Sequence, residues 1–209
     1  ICVEDLDDKD GRAVYKNVNF DLVNYGRIKM FFHAERNGDE SLADNDVSAF
    51  IRLGTDFDEN YYEIEFPLVV TEENLMGSDA DIRRQVWPLE NELDISIKEL
   101  LGTKSERNRL NRDESTPYAS ISNDGKYVFK VKGRPDISSV QVLMLGVRNT
   151  GDDDAFPESV CVWANELRLT DFDTNAGWAA NARLSTKLAD LGTISASTRY
   201  TSIGFGGIQ

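Results

Sequence analysis

The sequence of 209 residues carries 23 basic and 37 acidic side chains, a formal net charge of −14, with 40% hydrophobic residues. A surface this acidic disfavours anionic lipid headgroups and excludes nucleic acid as a main partner, because phosphate binding needs Lys and Arg. The two cysteines, Cys2 and Cys161, stand in no CxxC pair and beside no second metal ligand, which leaves a zinc site without support.

In chain order, the first element is the short apolar run Ile1-Cys2-Val3, followed by Asp5, Asp7, Asp8 and Asp10 ahead of Gly11. Arg27 to Glu35 alternates, with Ile28, Met30, Phe32 and Ala34 on one face and Lys29, Phe31, His33 and Glu35 on the other. Asp39 to Asp46 is an acidic loop. Val47 to Leu53 then sets Val47, Ala49, Ile51 and Leu53 against Ser48, Phe50 and Arg52. After Gly54 to Asn60, Tyr62, Ile64 and Phe66 alternate with Tyr61, Glu63 and Glu65. Further strands are expected at Tyr127 to Lys132, entered through Asn123-Asp124-Gly125, at Val140 to Val147 and at Val160 to Leu169. β-Branched and aromatic runs between Asn, Asp and Gly turns predict an all-β sandwich over residues 1–172, jelly-roll-like and of roughly eight strands.

A short helical insertion interrupts the strands. Ser96-Ile97-Lys98-Glu99 has the form of a capping box, in which the Ser hydroxyl takes an orphan amide and Glu99 reaches back. Ile97, Leu100 and Leu101 supply an apolar stripe, Gly102 is the expected stop, and Ser105 to Asn111 is a second, charged turn. Arg107, Arg109 and Arg112 there read as a solvated basic face. The last apolar run of the domain is Val160-Cys161-Val162-Trp163. If the first and last strands are neighbours, Cys2 and Cys161 can bridge in an oxidising compartment; two buried free thiols are the alternative.

Turn-forming residues from Thr170 to Gly177 separate this domain from residues 173–209, which have the pattern of a two-strand hairpin of a transmembrane β-barrel. The strands are expected at about 178–189 and 193–203, each near the roughly 9–11 residues that cross a bilayer when tilted. Trp178, Ala180, Ala182, Leu184, Ile194, Ala196 and Tyr200 form the expected lipid-facing set. Arg183, Lys187 and Arg199 fall on the opposite, lumen-facing set. Trp178 and Tyr200 lie level with each other at the open end, as in an interfacial aromatic girdle. The tight turn at Asp190-Leu191-Gly192 would face the periplasm and the large domain the cell exterior. Two strands cannot close a barrel, and open edges do not survive in hydrocarbon, so the chain is expected to be a piece of a larger protein.

No catalytic constellation stands out, and no enzyme activity is expected. His33 is the only histidine, and it reads as a surface residue paired with Glu35. The G-x-S-x-G turn and Gly-rich phosphate loops are absent. No cofactor is expected beyond a structural calcium, for which Asp5, Asp7, Asp8 and Asp10 together with Asp152, Asp153 and Asp154 are the candidates; Asp56, Asp58 and Glu59 form a third acidic group. An EF-hand register fails, because the first ligand position counted back from Gly11 is Leu6. Tyr61, Tyr62 and Trp87 could stack on sugar rings or serve as core aromatics.

The run Val162-Trp163-Ala164-Asn165-Glu166-Leu167-Arg168-Leu169-Thr170-Asp171-Phe172-Asp173 is followed by Gly177-Trp178-Ala179-Ala180 and Lys187-Leu188-Ala189-Asp190-Leu191-Gly192. These phrases resemble the SprA/Sov family, the giant outer-membrane translocon of the type IX secretion system in Bacteroidetes. The resemblance is specific over roughly Val160 to Gly206; Tyr25-Gly26-Arg27-Ile28-Lys29-Met30-Phe31 and Asn60-Tyr61-Tyr62-Glu63 also fit. It implies a fragment of a cell-surface and gliding-motility protein of the bacterial outer membrane. The rest of the barrel, a partner outer-membrane barrel, plug proteins and exported cargo proteins would be its partners. The family supplies no catalytic residues to carry over. The alternative is a calcium- or carbohydrate-binding jelly-roll module of a cell-surface protein, which has no reason to end in a barrel hairpin.

Overall fold

Period-2 alternation builds antiparallel sheets in the computed structural model, which describes residues 1–38, 41–151, 157–173, 178–190 and 192–201. Asp39, Glu40, Asp152, Asp153, Asp154, residues 174–177, Leu191 and the expected strand end at 202–203 lie outside the described residues. The chain divides into two units, Ile1–Phe172 and Asp173–Gln209.

In the first unit the strands are β1 (Cys2–Leu6), β2 (Gly11–Phe20), β3 (Tyr25–Arg36), β4 (Val47–Gly54), β5 (Tyr61–Pro67), β6 (Glu92–Ser96), β7 (Tyr118–Ile121), β8 (Val128–Lys132), β9 (Val140–Asn149) and β10 (Glu158–Phe172). Two helices, α1 (Asp79–Val86) and α2 (Ile97–Arg109), lie between β5 and β7. One sheet has the order β1-β10-β3-β6 and the other β2-β9-β4-β5-β8-β7. The first strand pairs with the tenth in one sheet and the second with the ninth in the other, a nesting of ends that gives the sandwich its jelly-roll character.

The core lies between the sheets. Ile28, Met30, Phe32 and Ala34 of β3 and Val47, Ala49, Ile51 and Leu53 of β4 are all buried, as their alternation predicts. Phe32 meets Phe66 edge-on across the interface, with ring centroids 5.2 Å apart. The central strands of the six-stranded sheet are covered on both faces, so Ser48, Phe50, Tyr61 and Glu63 are buried too. Tyr61 and Tyr62 are therefore not available for stacking on sugars. Trp87 is partly buried against His33, with ring centroids 5.7 Å apart.

The helices differ from the sequence reading. α1 was not expected: Ser78 caps it, and the Asp81 carboxylate reaches back to the Ser78 amide at 3.1 Å, which makes this segment the one with a capping box. At α2 the Ser96 side chain makes no cap, and Glu99 instead accepts from the Asn123 amide at 2.6 Å. Gly102 does not stop the helix, because tertiary burial of Ile97, Leu100, Thr103 and Arg107 carries it on to Arg109. Arg107 is no solvated residue. Fully buried, it donates to the Gly133 carbonyl at 2.7 Å and to Asn108 Oδ1, and it pairs with Glu114 at 3.8 Å.

The second unit holds β11 (Ala179–Leu188) and β12 (Gly192–Thr201), an antiparallel pair. Every residue described in these two strands is exposed. No described helix is long and apolar enough to cross a membrane.

Candidate functional site

The hairpin register follows from ten paired positions, from Ala179 opposite Thr201 to Leu188 opposite Gly192. Directly opposed residues share a face of an antiparallel pair. One face therefore carries Ala180 with Tyr200, Ala182 with Thr198, Leu184 with Ala196 and Thr186 with Ile194. The other carries Asn181 with Arg199, Arg183 with Ser197, Ser185 with Ser195 and Lys187 with Thr193. All three cations of the strands thus lie on one face, and the face holding Leu184, Ile194 and Tyr200 has no ionisable group other than the Tyr200 phenol. Trp178 stands beside Tyr200, with ring centroids 4.8 Å apart. Large side chains left this open to water, in a pair with no third strand among the described residues, are not a self-sufficient structure.

At the other end of the chemistry, Cys2 and Cys161 are joined by a disulfide. They are opposed residues of the β1–β10 ladder, and the Ile1 ammonium extends that ladder by donating to the Val162 carbonyl at 2.8 Å.

Of the carboxylates named as calcium candidates, those of Asp8 and Asp10 have protein partners. Asp10 accepts from the Gly11 amide at 2.8 Å and pairs with Arg12, and these bonds hold its carboxyl below the ordinary 3.8. The Asp8 carboxylate accepts from the Asn149 side chain at 3.5 Å, whereas Asp5 and Asp7 are engaged through their backbones, the Asp5 amide donating to Ser159 Oγ at 3.1 Å and the Asp7 carbonyl accepting from the Asp10 amide at 3.0 Å. Asp152, Asp153 and Asp154 are outside the described residues. Among the described residues no group of three His, Cys, Asp or Glu side chains is placed to hold a metal ion.

His33 is buried rather than a surface residue, which corrects the sequence expectation. Its Nδ1 lies 2.8 Å from the Val86 carbonyl and 3.0 Å from Thr71 Oγ1, and its Nε2 lies 3.3 Å from Glu35. These contacts tie the end of α1 to β3.

Sequence reasoning missed the densest polar cluster, on the outer face of the six-stranded sheet. Glu63 there accepts from Arg52 and Lys130, the latter at 3.0 Å, and from Arg148 at 3.3 Å, while Glu65 accepts from Lys130, Arg148 and Ser48. The Arg52 and Arg148 guanidinium groups lie over Tyr61 and Phe50, at 4.2 Å and 4.6 Å from the ring centroids. Burial pushes the Glu63 carboxyl up, but Lys130, Arg148 and Arg52 outweigh it and hold the group below its ordinary 4.5. A carboxylate kept ionised among three cations is a structural brace.

The family model described as "Motility related/secretion protein", SprA N-terminal, matches residues 1–209. No curated protein matches the sequence.

Proposed function

The chain belongs to the SprA N-terminal family of motility related/secretion proteins, and from that premise we propose that it is a structural, non-catalytic part of an outer-membrane protein-export pore of the type IX secretion kind. In this reading β11 and β12 are two strands of a large barrel, and the sandwich is an inserted domain on the exterior side, at the pore mouth. The rest of the barrel, a neighbouring barrel, plug proteins and exported cargo are its partners. No cofactor is required, because the role is to shape and line a passage.

The hairpin register carries the proposal. A face free of formal charge backed by a face with Arg183, Lys187 and Arg199 is the arrangement a strand pair needs between lipid and an aqueous lumen. The paired Trp178 and Tyr200 rings supply an interfacial anchor at one depth. Lipid does not tolerate open strand edges, so β11 and β12 must continue into neighbouring strands of the assembly.

Single cysteines at Ala182 and at Asn181, introduced into the parent protein in its native membrane, test this directly. The bridged Cys2 and Cys161 do not compete for the label. Asn181→Cys should react with a water-soluble maleimide and Ala182→Cys only with an apolar one. Equal reaction of both sites with the water-soluble reagent would sink the barrel assignment.

A further inference from the structure

At one end of the six-stranded sheet, β2, β9 and β4 meet in the order Asn17, Val142, Gly54. A pocket of about 570 Å³ opens there, lined by Asn17, Val18, Asn19, Thr55, Gln141 and Val142. Its lining contains no ionisable side chain. The polar groups are three carboxamides and a hydroxyl, each able to donate and to accept. Among the described residues, the carboxamides of Asn17, Asn19 and Gln141 have no protein partner, so their hydrogen-bonding capacity is free for a ligand.

Beside the pocket stands an aromatic platform. Tyr15 lies two residues before Asn17 on the same face of β2, and Phe57 follows Thr55 in the adjoining loop. Tyr15 is 58% and Phe57 38% exposed, with ring centroids 5.1 Å apart at 32°. Two large rings left in water next to unsatisfied amides are not a core feature.

The platform is also held rigidly. Asp56 Oδ1 accepts from the backbone amides of Asp58, Glu59 and Asn60 at 2.6–3.0 Å, and Arg52 donates to the Phe57 carbonyl at 2.8 Å. A loop ordered before binding loses little entropy on binding.

We propose that this end of the six-stranded sheet is a binding site for a neutral glycan. Sugar hydroxyls match groups that both donate and accept, and the C–H face of a pyranose ring suits the negative face of an aromatic ring. The absence of a cation in the lining and the net charge of −14 select against uronic, sialic and sulfated sugars. The site lies apart from Tyr61, Tyr62 and Trp87 and does not depend on the export reading.

The test is titration of the full chain with neutral tetrasaccharides of glucose, mannose, xylose and galactose, and with a tetrasaccharide of galacturonic acid, followed by NMR or calorimetry. At least one neutral sugar should bind saturably in the millimolar range, with affinity about tenfold lower in Tyr15→Ala and in the double variant Asn17→Ala/Gln141→Ala, and with the acidic sugar about tenfold weaker. All substituted side chains are exposed, so the melting temperature should stay within a few degrees of the parent's and verify folding. No saturable binding by any neutral tetrasaccharide up to solubility would overturn the proposal. So would binding that survives both variants, or binding in which the acidic sugar is preferred.

Discussion

Glu63 is 1% exposed although it points away from the inter-sheet core, and three partly solvated cations surround it. Removing its charge leaves those cations facing one another without their common counterion. Glu63→Gln should lower stability by about 1–3 kcal/mol in urea unfolding, less than the roughly 3–5 kcal/mol of a fully buried pair because the cations are partly hydrated. Glu59→Gln, at the exposed Lys132 pair, should change stability little. The same braces set an acid limit. Asp56 is held down to about 2: burial opposes its ionisation, but the Asn60 side chain and the amides of Glu59, Asn60 and Asp58 prevail. Folded-state values below the ordinary 3.8 of Asp and 4.5 of Glu mean that stability from Asp56 and Glu63 is complete above about pH 4.5 and is lost as pH falls toward 2. Melts across that range should show a steep fall in the parent and a shallower one in Glu63→Gln. Equal slopes would rule out this role for Glu63. None of this was legible from the alternation of β4 and β5, which places Phe50, Tyr61 and Glu63 on the solvent side. What buries them is distant in sequence: Arg148 reaches Glu63 across a separation of 85 residues.

The strands with strong alternation, β3, β4 and β5, were legible in the sequence because one face of each is continuously apolar. β2, β6 and β7 were not. β2 is an exposed edge strand with mixed faces, β6 ends at the Ser96 read as a helix cap, and β7 has only four residues, too few for a period to emerge. For α2 a local cap motif misled, since packing of Leu100 and Arg107 outweighs one glycine's helix propensity of about 1 kcal/mol. The hairpin faces were readable because a pair without a core still shows bare alternation, but the glycan pocket was not, since it joins β2, β9 and the loop after β4. Ala182 and Arg183 are neighbours on opposite faces of β11. On the proposed barrel role, Ala182→Arg in the assembled protein should impair assembly by about 2–4 kcal/mol near mid-bilayer, whereas Arg183→Ala should be nearly neutral. Heat-modified mobility of the assembled barrel on gels reads this out. Comparable defects in both variants would contradict the face assignment.

On the scale of the molecule, the nested pairing of β1 with β10 and β2 with β9 means that the sandwich closes only after its last strand is present. Such long-range topology folds slowly, and a disulfide spanning a sequence separation of 159 residues restrains the unfolded chain strongly. Cys2→Ser/Cys161→Ser should lose about 2–5 kcal/mol, seen as a lower urea midpoint with an increased slope. An unchanged midpoint would show that the bridge adds nothing to the β1–β10 ladder. That the two cysteine-bearing runs could be neighbours was visible in the sequence, whereas the division into four- and six-stranded sheets was not, because no local signal tells Gly11 to lie opposite Arg148. The bridge also decides how the unit bears tension. A pull entering at Ile1 and leaving at Phe172 passes through Cys2, across the sulfur bond to Cys161 and out along β10. The six-stranded sheet lies off that path and carries no load. In a motility related/secretion protein, a chain under strain would therefore gain no length from the segment between the two cysteines.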